Sequence, residues 1–320
     1  MTSRPGGNRA TKVLGGTLAR TAEALAVLFV LASLVFFALR VLPGDPALLV
    51  LGDEATPEEL ATVRARLHTD EPMAAQYVRF VRGLFTLDLG ESIRRPGTPA
   101  MARVTSALGP TSELAFLSVA LGAVLGVIAA MAAAGPWLGR RRRWIERGLV
   151  GASASPLLAF APLATWLLAV RVRLVPLPGD PDAGFAGLLF ASLLLSVPLA
   201  AQVGRTGRAA LGEIEHAQFL TAARAKGASS LRVWLVHALP VVTGPLVTVI
   251  ATELGALLGG AVVLERLFER AGLGTLILES YASRDLPVLE GAVIAAGALF
   301  VGAQAVAAAV HGAVDPRVRA

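Results

Sequence analysis

The chain has 320 residues, 55% hydrophobic and only 16% charged, with a mean hydropathy of +0.65. Soluble domains carry roughly 25% charged residues, so a deficit spread along the length makes lipid the solvent for much of this chain. The formal charge of +6 falls in short arginine clusters between apolar stretches, which fits a membrane protein rather than a nucleic-acid binder, and the lack of cysteine excludes a disulfide framework or a thiolate metal site.

A helix crossing a ~30 Å hydrocarbon core needs roughly 20 apolar residues. Six stretches qualify. They must be helices rather than loops, because lipid leaves no partner for open backbone groups. The expected fold class is therefore all-α integral membrane with six transmembrane helices.

A tail over residues 1–20 precedes the first stretch, 21–42. That stretch lies too far from the start, and lacks the small-residue cleavage site, for a typical signal peptide. Residues 43–108 are polar enough to fold as a small cap. They open on Pro43-Gly44-Asp45-Pro46, which reads first as a turn. Thr56-Pro57-Glu58-Glu59 reads as a helix start, with a Thr cap, Pro at the first position and acids in the first turn. An amphipathic helix to about Leu67 follows. Residues 109–313 hold the other spans, at about 112–134, 148–170, 183–203, 238–264 and 291–313, and a tail over 314–320 ends the chain.

Lys and Arg in short loops mark the cytoplasmic side. They gather at Arg4, Arg9, Lys12 and Arg20, at Arg140–Arg143 with Arg147, at Arg205, Arg208, Arg224, Lys226 and Arg232, and at Arg317 and Arg319. All four groups share one side if there are six spans, so both termini are expected in the cytoplasm and the cap outside. Arg140–Arg143 serve topology and attraction to anionic lipid; aromatic side chains are too scarce there for nucleic-acid binding.

The stretch 204–239 is the most informative loop. An alanine-rich helix over Phe219-Leu220-Thr221-Ala222-Ala223-Arg224-Ala225-Lys226 should stop at Gly227, which readily adopts the left-handed conformation that ends helices. Ser229 or Ser230 can cap a second short helix leading to Pro240. Small side chains let such a helix sit close in a groove on another protein, with basic residues pairing to acids there.

This arrangement resembles the ATPase-docking loop of binding-protein-dependent ABC importers. Thr221-Ala222-Ala223 stands where that family has Glu-Ala-Ala, Gly227 takes its glycine, His237 its Ile position, and Leu239-Pro240 its end. The Glu is missing and the His is a departure. Ala222 to Gly227 with His237 is similar to the version in dipeptide, oligopeptide and nickel permeases, although Pro240-Val241 replaces the usual Arg-Asn. The resemblance extends along nearly the whole chain, through Leu42 to Pro46, Asp70-Glu71-Pro72 with Gln76-Tyr77, and Asp88-Leu89-Gly90-Glu91-Ser92. It continues through Glu265 to Phe268, Gly272-Leu273-Gly274, Arg284-Asp285-Leu286-Pro287 and the ending Asp315 to Arg319, with Ala271 where Pro is usual. The order matches the first permease subunit of such systems, the one with the longer cap.

The resemblance implies a type I importer permease subunit that forms half of a pathway for di- or oligopeptides. Its implied partners are a homologous second permease, two cytoplasmic ATPases that bind the ATP and Mg, an extracytoplasmic solute-binding protein and membrane lipid. Nickel or another small solute is the alternative cargo, and a self-sufficient secondary transporter is the alternative class. The implied coupling residues are Phe219, Thr221, Ala222, Ala223, Arg224, Lys226, Gly227, His237, Leu239 and Pro240, with Ala223 giving the close approach. Glu253, an acid within the fifth span, should face the bundle or pore, either along the translocation path or in a hydrogen-bonded packing role. Gly122 and Gly126, like Gly255, Gly259 and Gly260, have the spacing of close helix packing. No cofactor or metal is expected in the chain: neither lysine sits in a phosphate loop, and His68, His216, His237 and His311 lack metal-ligand spacing. No hydrolase or zinc-protease motif is present, so an enzyme is not expected.

Overall fold

The computed structural model describes residues 7–41, 46–52 and 55–314. The Pro43-Gly44-Asp45 turn, Asp53, Glu54, Arg4 and the Asp315 to Arg319 ending lie outside them. Among the described residues the structure is helical, with no strand and one isolated bridge between Glu91 and Pro99.

The helices are α1 (Gly7–Val41), α2 (Pro46–Leu51), α3 (Pro57–Leu67), α4 (Met73–Thr86), α5 (Ala100–Ala134), α6 (Arg142–Ala154) and α7 (Leu157–Thr165). After them come α8 (Gly184–Ile214), α9 (Gln218–Ala225), α10 (Ser230–Arg232), α11 (Leu239–Leu267), α12 (Leu273–Ala282) and α13 (Leu286–Val314). Among the described residues, five stretches are long and apolar enough to cross a membrane: Arg20–Val41, Ala100–Ala134, Pro181–Ile214, Ser230–Leu267 and Leu286–Gly312. The 35 residues of α5 extend roughly 50 Å at the helical rise, well beyond the hydrocarbon thickness. Residues 100–108, read from sequence as the end of the cap, already belong to that helix.

The third expected span differs from expectation. Rather than one helix over 148–170, the chain forms Pro136–Ala154 and Leu157–Arg171, bent by 109° at the break between them. Pro156 is the cause. It carries no N–H and pushes the residue before it out of the helical region, and Ser155 accordingly has ψ 121°.

The chain divides into two compact units, Met1–Ser106 with Leu276–Val301 and Ala107–Thr275 with Gly302–Ala320. In the first, α1 and α4 share an aromatic cluster. Phe36 lies 5.0 Å from Phe80 and 5.2 Å from Tyr77, and the Tyr77 hydroxyl meets Ser33 at 2.8 Å. Arg40 stacks its guanidinium 3.4 Å over Phe36, donates to Gln76 and pairs with Glu290 at 2.5 Å. The start of α3 forms as read from sequence. Thr56 accepts from the Glu59 N–H while its own N–H and hydroxyl donate to the Glu59 carboxylate, which holds that carboxyl below its usual range.

In the second unit α8 packs against α5, α6, α7 and α11 at glycine contacts. A Cβ on Gly122 would stand 2.7 Å from Leu199, and one on Gly126 would stand 2.6 Å from Val203 and 2.8 Å from the Ala200 carbonyl. Gly260 is equally tight against Leu157 and Leu195, whereas Gly259 faces open space. The glycine spacing read from sequence therefore marks packing at Gly122, Gly126 and Gly260 but not at Gly259.

A contrast between two variants tests this packing. Gly126→Val should destabilise the detergent-solubilised chain by roughly 1–3 kcal/mol, the range for overpacking. Gly259→Ala should leave the thermal transition unchanged or slightly raised. Equal transitions for both variants would contradict the close approach of α5 and α8.

Candidate functional site

The site centres on α9. Beyond Ile214 the chain turns through Ala217, whose extended ψ of 140° starts the new helix. The helix ends as its glycine requires. Gly227 has φ +82°, its N–H donates to the Arg224 carbonyl at 3.0 Å, and the Ala228 N–H reaches back to the Ala223 carbonyl at 3.2 Å. That pair of bonds is the Schellman termination, and a side chain at Gly227 would be strained by the positive φ. Ser229 then accepts from the Arg232 N–H and caps the next helix.

That next helix departs from the sequence reading. It does not stop short of the fifth span. From Ser230 it passes through a π-helical turn, Val233–Ala238, directly into α11. Pro240 gives the reason: it has no N–H for the carbonyl four residues earlier and its ring crowds that carbonyl, so the turn before it widens.

α9 packs on this turn. Leu220 of α9 is fully buried and Ala223 is 9% exposed, and Val233 and Trp234 of the turn are buried as well. Trp234 in turn packs on Trp137, ring centroids 6.0 Å apart. The opposite ridge, with Thr221, Ala222, Arg224 and Lys226, is exposed, as is Phe219. Ala223 was expected to give close approach to a partner. The structure points it inward, and Ala222 takes that outward position. His237 and Leu239 are half-buried and Pro240 is exposed. Glu253 is half-buried on α11, 3.5 Å from the Gln202 amide of α8, and it is not joined to the α9 ridge by any hydrogen bond.

Two acids that bear structure escaped the sequence reading. Glu265, fully buried near the end of α11, accepts from the Thr111 hydroxyl at 2.5 Å, the Gly274 N–H at 2.7 Å and the Thr275 N–H at 3.2 Å. It thereby caps the first turn of α12 with negative charge. A Cβ on Gly272 would collide with that carboxylate. An acid closing an apolar span a few residues before Gly-x-Gly was the available signal. Asp285, also buried, accepts from the Ser92 hydroxyl, the Ile93 N–H at 2.9 Å and Arg103 at 3.3 Å. It joins two motifs that sequence similarity had noted separately. The first unit also has a cleft of about 930 Å³. Two of its lining arginines are paired, Arg40 with Glu290, which also lines the cleft, and Arg79 with Glu71.

An all-helical, membrane-spanning chain with a glycine-ended helix held on the root of its fifth span has the architecture of a type I ABC importer permease. The chain belongs to the binding-protein-dependent transport system inner membrane component family, whose model matches residues 122–320, while the N-terminal model of the same systems matches 14–103. It is 33% identical over 318 residues to a putative peptide transport system permease protein of Brucella abortus, covering 94% of this chain and 98% of the relative. It is 31% identical over 312 residues to the glutathione transport system permease protein GsiC of Escherichia coli O6:H1, covering 96% and 99%. The fold matches the MetNI methionine ABC transporter in an inward-facing conformation with a TM-score of 0.56 at 20% identity, over 67% of this chain and 97% of that one.

The Glu265 cap yields a stability test. Glu265→Ala leaves the Gly274 and Thr275 N–H groups without their acceptor, while the Thr111 hydroxyl keeps the Ala107 carbonyl at 3.3 Å, and each buried group left unpaired costs roughly 1–3 kcal/mol. A lowered thermal transition in detergent is expected, and an unchanged one would mean that other acceptors serve these groups.

Proposed function

We propose that this chain forms half of the translocation pathway of an ATP-driven peptide importer, with di- or oligopeptides as cargo. The observation that carries the reading is the exposed ridge of α9, small and basic, set on a buried base of Leu220 and Ala223. A groove on an ATPase would take this ridge, with Ala222 allowing the close approach and Arg224 and Lys226 meeting acids at the rim. The partners on this reading are a second, homologous permease, two ATPases that bind ATP and Mg, and an external solute-binding protein. The chain itself hydrolyses no ATP. The names of its relatives, for peptide and glutathione transport, favour peptide cargo over nickel.

The reading fixes an orientation as well. Arg140–Arg143 and the α9 loop face the cytoplasm with both termini, and the residues between α1 and α5 face outward. A reporter fused after Ser92 should be extracytoplasmic and one fused after Arg143 cytoplasmic; the reverse pair would overturn the topology.

Docking is tested by placing bulk on each side of α9. Ala222→Trp should leave the thermal transition of the chain near its starting value but abolish capture of the ATPases and peptide uptake by whole cells. Ala223→Trp, aimed into the support of α9, should lower the transition itself. Normal capture and uptake by Ala222→Trp would remove α9 as the docking element.

A further inference from the structure

A second charged surface lies beside this site. Arg140, Arg141, Arg142, Arg143 and Arg147 are all exposed. Among the described residues none of their side chains has an ion-pair or hydrogen-bond partner. The nearest acid in sequence, Glu146, is already taken by Arg208 at 2.9 Å. Trp144 stands among them 71% exposed, with the Arg147 guanidinium 5.2 Å from its ring.

Beyond Arg147 the outward face of α6 is small and apolar. One side of the helix is turned to the protein through Ile145, Glu146 and Leu149, with Leu149 against Gly204 of α8. The outward side carries Trp144, Arg147, Gly148, Gly151 and Ala154, which helical spacing places in line. Gly148 and Gly151 have nothing within 4 Å of a would-be Cβ, so they form a shallow channel. Val150 and Leu158 are exposed apolar side chains near it in sequence. The 109° bend after α6 turns it well away from the direction of the following segment. On the orientation proposed above, the arginine cluster and Trp144 sit together on the cytoplasmic side, where lipid phosphates and interfacial tryptophans gather.

We propose that this face binds an anionic phospholipid. The phosphate sits among the guanidinium groups of Arg140 to Arg143 and Arg147, which match it by charge and by paired N–H donors. The indole of Trp144 lies at the headgroup boundary, and an acyl chain runs along Gly148, Gly151 and Ala154. An acidic protein surface would satisfy the arginines but leave the exposed indole and the channel uncovered. The site has a mechanical neighbour: Trp137, three residues before Arg140, packs on Trp234, and Trp234 lies under α9. A lipid held here braces the support of the coupling helix.

The test uses the full-length chain in mild detergent, offered equal amounts of phosphatidylglycerol and phosphatidylcholine, with retained lipid read by native mass spectrometry. Preferential retention of phosphatidylglycerol is expected. Replacing Arg140, Arg141, Arg142 and Arg143 together by Gln should reduce that occupancy about tenfold or more, given the contribution of each basic group near anionic lipid. Gly148→Leu with Gly151→Leu keeps every charge, and hence the topology signal, but fills the channel; it should lose the lipid as well. Excess glycerol 3-phosphate, a headgroup phosphate without acyl chains, should not displace it. Equal retention of both lipids by the unaltered chain, retention of phosphatidylglycerol by either variant, or displacement by glycerol 3-phosphate would each overturn the proposal. So would loss of ATPase capture by the arginine variant with its lipid retained, which would assign the arginines to protein docking.

Discussion

Lipid gives helices no hydrophobic reason to associate, so what holds this chain together is the distance at which its helices can touch. The second unit meets that constraint largely on α8. Gly122 and Gly126 of α5 admit Leu199 and Val203, Gly204 admits Leu149 of α6, and Gly207 admits Ala130 of α5 and Leu246 of α11. Each contact replaces a side chain with a backbone approach, and dispersion over the resulting interface does what hydrophobicity does in water. Polar ties lock the register near the end of α8, where Arg208 binds Glu146 and Arg205 binds Ser153. The direction in which α8 delivers the chain to α9 follows from these contacts.

α9 is then held by packing on its own downstream chain. It packs on the Val233–Ala238 turn, which belongs to the same continuous helical run as α11, and Leu220, Ala223, Val233 and Trp234 are all buried. On the proposed reading, a force on the exposed ridge passes through this packed base into the fifth span. The glycine termination makes the return sharp enough for the two to meet. A termination without left-handed geometry would send the chain away from Val233 and Trp234, and the ridge would lose its backing. On the importer reading, this base is the element that nucleotide state and pore state both bias, which is the physical requirement for coupling.

Much of this was legible in the sequence for local reasons. The capping box at Thr56 and Glu59, the left-handed Gly227 and the Ser229 cap each depend on residues within a few positions, and each formed as its chemistry dictates. Length and polarity marked the spans for the same reason. The sequence reading failed where a proline interrupted an apolar run, because hydropathy counts Pro156 as tolerable while backbone sterics do not. It also failed where the outcome depends on facing. That Ala222 points out and Ala223 in is decided by which side of α9 meets Trp234, a contact that composition does not encode. The roles of Glu265 and Asp285 were hidden for a related reason. Their partners, Thr111 and Ser92, lie more than 150 residues away in the chain.

The placement of the acids bears on how transport is energised. A carboxylate used for ion coupling must exchange its partner, so it needs access to water or to a competing cation during the cycle. Glu265 is committed to two backbone N–H groups and a hydroxyl, Asp285 to a backbone N–H, a hydroxyl and Arg103, and Glu290 to Arg40. Each of these sets closes a junction between chain segments, and releasing any of them would leave buried donors open. Glu253 keeps a looser contact, a single amide at 3.5 Å. Carboxylates spent on holding helix ends are poor carriers of protons or sodium. They suit a subunit whose energy arrives from outside the membrane, which is what the docking proposed for the α9 ridge provides.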